Sequence, residues 1–403
     1  MELFWLEHKK LWRKKIVKIC VLLCFVYCVI FGSILLFQWF GFGSSDDYTS
    51  AFGNNFDGYT VIKDSQEYAL SFGGELTDET LQKIVSDYQQ MEADGMEEEL
   101  EKTDWQIVNS WLGTLYPELR DTSNYKTMIS YVDPDKLTGF YERRQQVLDE
   151  FLEVSGQVGA EKEFLHQIER KVEKPFHYEW VEGWSTLLGS MVADLGVVMA
   201  LFLGIVLSSL FAGEWHDNTS TLVLTTRNGW GKIALAKILT GLAFTVELFA
   251  LLAVSNDISQ LFFMGTAGWD MPIQNIKLIA IAPMNMLQAE IYEYAFVLLG
   301  AIGFAGIVMF ISAAVKNNVL TLLLSLAVVY GPMMIVEYLP YEMQKALDLI
   351  PLVGSSTDIF RTNTSRIFGK LIWSPYLLIT IPVLIGILCM PFAIKSWSRR
   401  MKA

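Results

Sequence analysis

Six long apolar stretches govern what this chain can fold into: Ile16–Phe40, Leu187–Ala212, Ile233–Val254, Tyr294–Val315, Val319–Val336 and Leu371–Ile394. A hydrocarbon core about 30 Å thick is crossed by about 20 mostly apolar residues in helical form. The runs are continuous rather than alternating, so none reads as a strand of a membrane barrel. The pattern predicts an all-α polytopic membrane protein with six transmembrane helices.

Charge sets the orientation of those spans. Residues 41–186 hold 30 of the 44 acids and 12 of the 31 bases, a net of −18, which leaves the rest of the chain at +5. Lys9, Lys10, Arg13, Lys14, Lys15 and Lys18 lead into the first run, and Lys395, Arg399, Arg400 and Lys402 follow the sixth. Basic flanks stay cytoplasmic, so both termini are expected inside and the acidic block 41–186 outside. Lys345, Arg361, Arg366 and Lys370 pull against this count, because it puts the loop 337–370 outside as well. The first run is expected to stay as an anchor. Its core, Ile19–Phe37, exceeds a signal-peptide h-region, and Gly41-Phe42-Gly43 is a poor cleavage site.

The expected order follows. A cytoplasmic interfacial helix over 1–15 leads to spans at 16–40, 187–212, 233–254, 294–315, 319–336 and 371–394. A cytoplasmic loop lies at 213–232, an extracellular or re-entrant segment at 255–293, an extracellular loop at 337–370 and a cytoplasmic tail at 395–403. In the first segment Trp5, His8, Lys9 and Trp12 share a helical face whose indoles suit the headgroup layer.

The acidic block reads as a mainly helical extracellular domain inserted between helices 1 and 2. Thr77 with Thr80 fits an N-cap ahead of Leu81, Ile84, Val85 and Tyr88. Further helices are expected over Met96–Leu115, Tyr141–Leu152 and Phe164–Val172, the second of these with Val147, Leu148 and Phe151 as its apolar stripe. Strand-like alternation occurs only around Tyr59–Ile62. Cys20, Cys24, Cys28 and Cys389 all fall in spans, so no disulfide staples the domain. The first three share one helix face and read as small packing residues. The field of the domain attracts cations, and the run Glu97-Glu98-Glu99 with Glu101 reads as a solvated helix face.

The chain lacks a phosphate-binding loop, since Gly229-Trp230-Gly231-Lys232 has neither the spacing nor the hydroxyl. It also lacks a His-Glu-x-x-His pair, a zinc-spaced cysteine pair and a Gly-x-Ser-x-Gly elbow. No enzymatic activity, cofactor or metal in this chain is expected, nor a nucleic-acid partner. Two intramembrane acids, Glu247 and Asp194, are candidates for a substrate path, because a carboxylate in lipid must face a bundle interior, a wet cavity or a partner. Gly300, Gly303 and Gly306 allow close helix approach, and Pro332 and Pro382 allow kinks.

Residues Phe211–Leu239, reading FAGEWHDNTSTLVLTTRNGWGKIALAKIL, resemble the first intracellular loop of ABC-2-type transporter permeases. The likeness rests on Glu214 after the second span, a Thr/Leu segment at 219–225, the turn Arg227–Gly231 and Lys237 opening the third span. It extends to the six-span count and to the large domain after span one, as in a subgroup from Gram-positive bacteria. The resemblance implies a transport subunit in the bacterial cell membrane. Its partners would be a cytoplasmic ATP-binding subunit holding ATP and Mg, a second permease copy or sister permease, and membrane lipids. It implies coupling to the ATPase through Glu214, Trp215, Asp217, Thr219, Thr221, Thr225 and Arg227, and export of an amphiphilic compound such as an antimicrobial peptide, drug or lipid. Two other classes stay open: a receptor with an extracellular ligand-binding domain, and an ion-coupled secondary transporter using Glu247.

Overall fold

In lipid, a backbone must satisfy its own polar groups, so long apolar runs close as helices. The computed structural model describes residues 2–37, 63, 66–67, 73–95, 105–121, 123, 126–188, 192–216, 231–356, 360 and 362–399. The bundle comprises α1 (Glu2–Arg13), α2 (Lys15–Phe37), and, after the inserted domain, α8 (Val192–His216), α9 (Lys232–Met264), α10 (Met286–Val315), α11 (Asn318–Ile335) and α13 (Ser374–Arg399). Among the described residues five helices, α8, α9, α10, α11 and α13, are long and apolar enough to cross a membrane. The helix α2 covers 16–37 of the first expected span, and 38–40 lie outside the described residues.

Aliphatic and aromatic side chains cover the outside of this bundle. Leu22 and Phe25 on α2, Val246 and Ile258 on α9, Leu323 on α11 and Leu388 and Phe392 on α13 are all exposed. Water does not tolerate an apolar surface of that extent, and lipid does. The protein is membrane-embedded. Val17, Cys20, Cys24 and Cys28 are the buried face of α2.

Two helices run well past their apolar cores. At 1.5 Å per residue the 33 residues of α9 reach about 50 Å, against about 30 Å of hydrocarbon. Its far end, with the start of α10, falls within 255–293, where a connecting segment was expected. Close packing holds α10 against α13. A Cβ on Gly303 would lie 2.2 Å from the Pro382 carbonyl oxygen, and one on Gly306 2.3 Å from that of Gly386. Only hydrogen fits at these crossings.

The inserted domain contains β1 (Gly74–Leu76), α3 (Asp78–Ala93), α4 (Trp105–Leu115), α5 (Phe140–Val154), α6 (Ala160–Glu169), β2 (Phe176–Tyr178) and the short α7 (Glu182–Thr186). The expected cap is present: the Thr77 side chain accepts from the Thr80 amide and opens α3. Strands β1 and β2 pair antiparallel with Glu75 opposite His177. The strand expected near Tyr59–Ile62, and the acids at 97–101, lie outside the described residues. The stripe expected on α5 is shifted. Phe151 is 41% exposed, and the buried face is Phe140, Arg144, Leu148 and Leu152. An i, i+4 repeat starting from Phe140 sets this face, with a charged residue occupying one of its positions.

Arg144 reaches across to the segment between α9 and α10. Its Nε donates to Leu278 O (2.7 Å), one terminal nitrogen to Ala280 O (2.9 Å) and the other to Glu169 Oε1 (2.7 Å). Three indoles act likewise: Trp111 donates to Asn275 O (3.0 Å), Trp180 to Met264 O (3.0 Å) and Trp184 to Ala267 O (2.8 Å). At Gly268, φ is +78° and a Cβ would sit 2.5 Å from Trp180 O, so glycine is required there. The segment 265–285 is thus built into the inserted domain.

A second attachment uses the hairpin β3 (Thr364–Ile367) and β4 (Lys370–Trp373), which follows the short α12 (Tyr341–Leu347). Gln157 Oε1 accepts from the Thr364 amide and hydroxyl, and Arg366 pairs with Glu161. The hydrogen bond from Arg366 holds the Glu161 carboxyl below its usual range. Arg366, one of the bases at odds with the charge count, therefore sits against the acidic domain.

Candidate functional site

The end of the bundle opposite the inserted domain gathers α1, the last turn of α8, the first turns of α9 and the last turns of α13. At Lys14 the chain bends between α1 and α2, which lays α1 across α9. The Lys14 ammonium donates to Ser209 Oγ (2.9 Å) and fixes the bend to α8.

Beneath α1 lies a ladder of charge. Lys237 donates to Glu7 Oε2 at 2.8 Å and to Glu214 Oε1 at 2.9 Å, and Lys10 donates to the same Glu214 oxygen. Lys237 is 1% exposed and Glu214 3%. Charges so removed from water persist only when paired and hydrogen-bonded, and each of these has at least two partners of opposite sign. The ladder joins three elements that are distant in sequence. α1 supplies Glu7 and Lys10, α8 supplies Glu214, and α9 supplies Lys237.

Trp215 packs on Trp397 with centroids 6.0 Å apart, and the Lys316 ammonium lies 4.3 Å from the Trp215 ring centroid. The ring thereby links α8 to α13 and to the α10–α11 turn. Ser312 locks α10 to α8 close by. Its Oγ donates to Ser208 O (2.7 Å) and accepts from the amides of Phe211 and Ala212 (both 3.1 Å). Of the residues singled out in the loop, Glu214 and Trp215 thus lie on this framework. Asp217, Thr219, Thr221, Thr225 and Arg227 lie outside the described residues.

The two intramembrane acids are far apart. Glu247 lies under α1, where its Oε2 accepts from Trp12 Nε1 (3.0 Å) and its Oε1 lies 3.2 Å from His8 Nε2. The face of α1 expected at the headgroups, Trp5–His8–Lys9–Trp12, is therefore divided. His8 and Trp12 turn to α9, while Trp5 stays 61% exposed beside Leu6 and Lys9. Asp194 stands in the first turn of α8, next to Tyr27 of α2.

Sequence reasoning missed Glu7 as a partner for Lys237. The available signal was an acid inside a basic, aromatic helix. Among the described residues no group of three or more His, Cys, Asp or Glu could hold a metal ion. Chemically, the framework joins the end of α8, the start of α9 and the N-terminal helix by one set of ion pairs. Comparison with protein-family models, with curated proteins and with solved structures returns no match to this chain.

Proposed function

We propose that the chain is the permease subunit of an ATP-binding-cassette exporter of the ABC-2 type, working in a bacterial cell membrane. In this reading α2 is the first of six spans, both termini and the loop 213–232 are cytoplasmic, and 41–186 form an extracellular domain. A separate subunit binds ATP and Mg and docks on the loop and on α1. A second copy or a sister permease completes the pathway, and the cargo is an amphiphilic compound such as an antimicrobial peptide, a drug or a lipid.

One observation carries the reading: the buried ladder Glu7–Lys237–Glu214–Lys10. Glu214 and Lys237 are the two ends of the loop that resembles the permease family, and α1 ties them together. Force applied at such a mount passes into α8 and α9 as a unit, because losing the buried Lys237 or Glu214 strands a partner charge. A receptor or an ion-coupled carrier has no need of such a mount at the two flanks of this loop.

The reading is tested by transport into inverted membrane vesicles containing the chain and its ATP-binding subunit. A fluorescent cationic amphiphilic peptide should accumulate only with hydrolysable ATP, and the Glu214→Arg variant should abolish uptake. Uptake that persists without nucleotide and collapses with the ion gradient would overturn it.

A further inference from the structure

The contacts that fix the inner side of α1 leave its outer side uncovered. Glu7, His8 and Trp12 turn to α9 and Leu11 is buried, whereas Trp5, Leu6, Lys9 and Arg13 are exposed. Their spacing puts these four on one side of the helix. Past the bend, Lys15 and Lys18 are exposed in the first turn of α2. Lys10 and Lys14 are engaged with Glu214 and Ser209, but the side chains of Lys9, Arg13, Lys15 and Lys18 have no hydrogen-bond or ion-pair partner among the described residues. The acids nearby are committed: Glu7 and Glu214 to Lys237, and Glu247 to His8 and Trp12. Glu2, in the first turn, is the one other acid on α1.

A second observation points to the occupant. The bundle's exposed apolar surface begins where these cations stand. Ile16 and Ile19 are exposed beside Lys15 and Lys18, and Leu235 and Leu239 are exposed on either side of Lys237, the residue that anchors α1 to α9. The unpaired charges therefore border the lipid-facing surface. An indole suits the headgroup layer, and long basic side chains lay their stems on apolar surface while their charges reach the headgroups. A water-soluble partner would account for the cations but not for their continuity with the lipid-facing side chains.

We propose that the outer side of α1 and the bend into α2 form a docking surface selective for anionic phospholipid, with Lys9, Arg13, Lys15 and Lys18 on the headgroups and Trp5 and Leu6 seated at the acyl boundary. The helix then lies along the membrane surface, its ladder side holding the bundle and its outer side holding lipid. Each such cation favours anionic over uncharged lipid by about fivefold. Neutralising the outer side leaves Lys10 and Lys237 untouched, so the ladder stays intact. The surface needs neither an ATP-binding partner nor a cargo, and the purified chain alone suffices to test it.

Native mass spectrometry of the detergent-purified chain, offered equal amounts of phosphatidylglycerol and phosphatidylcholine, reads the selectivity. The wild type should retain phosphatidylglycerol preferentially. The double variant Lys9→Gln/Arg13→Gln should lose about 25-fold of that preference, and the charge-conserving Lys9→Arg/Arg13→Lys should keep it. Equal retention of the two lipids by the wild type, or an unchanged preference in the glutamine variant, would overturn the selectivity. Contact is read separately with a fluorophore on Leu6→Cys in phosphatidylglycerol nanodiscs, the four native cysteines changed to serine. Spin-labelled lipid should quench it and aqueous iodide should not. Quenching by iodide alone would overturn the docking and leave this side of α1 to a protein partner. Matching melting temperatures establish that the variants are folded.

Discussion

Lys237 and Arg144 do the same work at opposite ends of the molecule. Each is a buried cation that joins chain segments distant in sequence. Replacing Lys237 by Met leaves Glu7 and Glu214 facing one another without their shared partner, and stability should fall by about 3 kcal/mol, measured by thermal unfolding in detergent. Lys10 is half exposed, so Lys10→Ala should cost under about 1 kcal/mol in the same assay. At Arg144 the partner Glu169 supplies a pH signature. Burial pushes its carboxyl up, but hydrogen bonds from Lys174 and Arg144 outweigh this and hold it below its ordinary range. A carboxyl lowered on folding stabilises fully above about pH 4.3, and that stability is lost as pH falls through the lowered folded value. The inserted domain should therefore melt progressively lower on acidification, and Glu169→Gln should flatten that slope in a pH series of melting curves.

The helices themselves were legible at the level of elements, and their ends were not. The apolar run of the third span stops near Val254, yet α9 continues to Met264. Ser255, Asn256, Asp257, Ser259 and Gln260 interrupt the apolar pattern there, while Asn256, Gln260 and Met264 are buried and Ile258 and Phe262 stay exposed. Periodicity placed α5 but misassigned its face, because Arg144 occupies a core position that no hydrophobic pattern marks. The small residues of α10 were legible as a packing stripe, though their partner was not: the stripe meets Pro382 and Gly386 of α13. Gly306→Val should force α10 and α13 apart and destabilise the bundle by about 1–3 kcal/mol, seen as a lower melting temperature. Trp184→Phe removes an indole donor while keeping most of the ring volume. It should cost about 1–3 kcal/mol and increase cleavage within 265–285 under limited proteolysis.

Across the whole molecule, α9 connects two mounts. Its first turns carry Lys237 in the charge ladder, and its last residue accepts the Trp180 hydrogen bond from the inserted domain. The same helix therefore links the charge ladder to the inserted domain. Charge patterning in the sequence located the acidic block and the basic flanks. The segment 265–285 that holds the block down could not be read, because it is held through carbonyl oxygens that every residue carries alike. At 364–373 the attachment is one amide, one hydroxyl and one ion pair, with no pattern in sequence to join them to Gln157 and Glu161. The central claim is that a separate ATP-binding subunit drives this chain through the loop mounted on Glu214 and Lys237. Its most direct test is affinity purification of the tagged chain from mildly solubilised native membranes, with co-purifying ATP-binding-cassette subunits quantified by mass spectrometry. The account predicts such a subunit in near-stoichiometric amount with the intact chain, and its loss when residues 219–225 are deleted while the melting temperature is unchanged. An intact chain that purifies with no such subunit, or a deletion variant that retains it in full, would contradict the account.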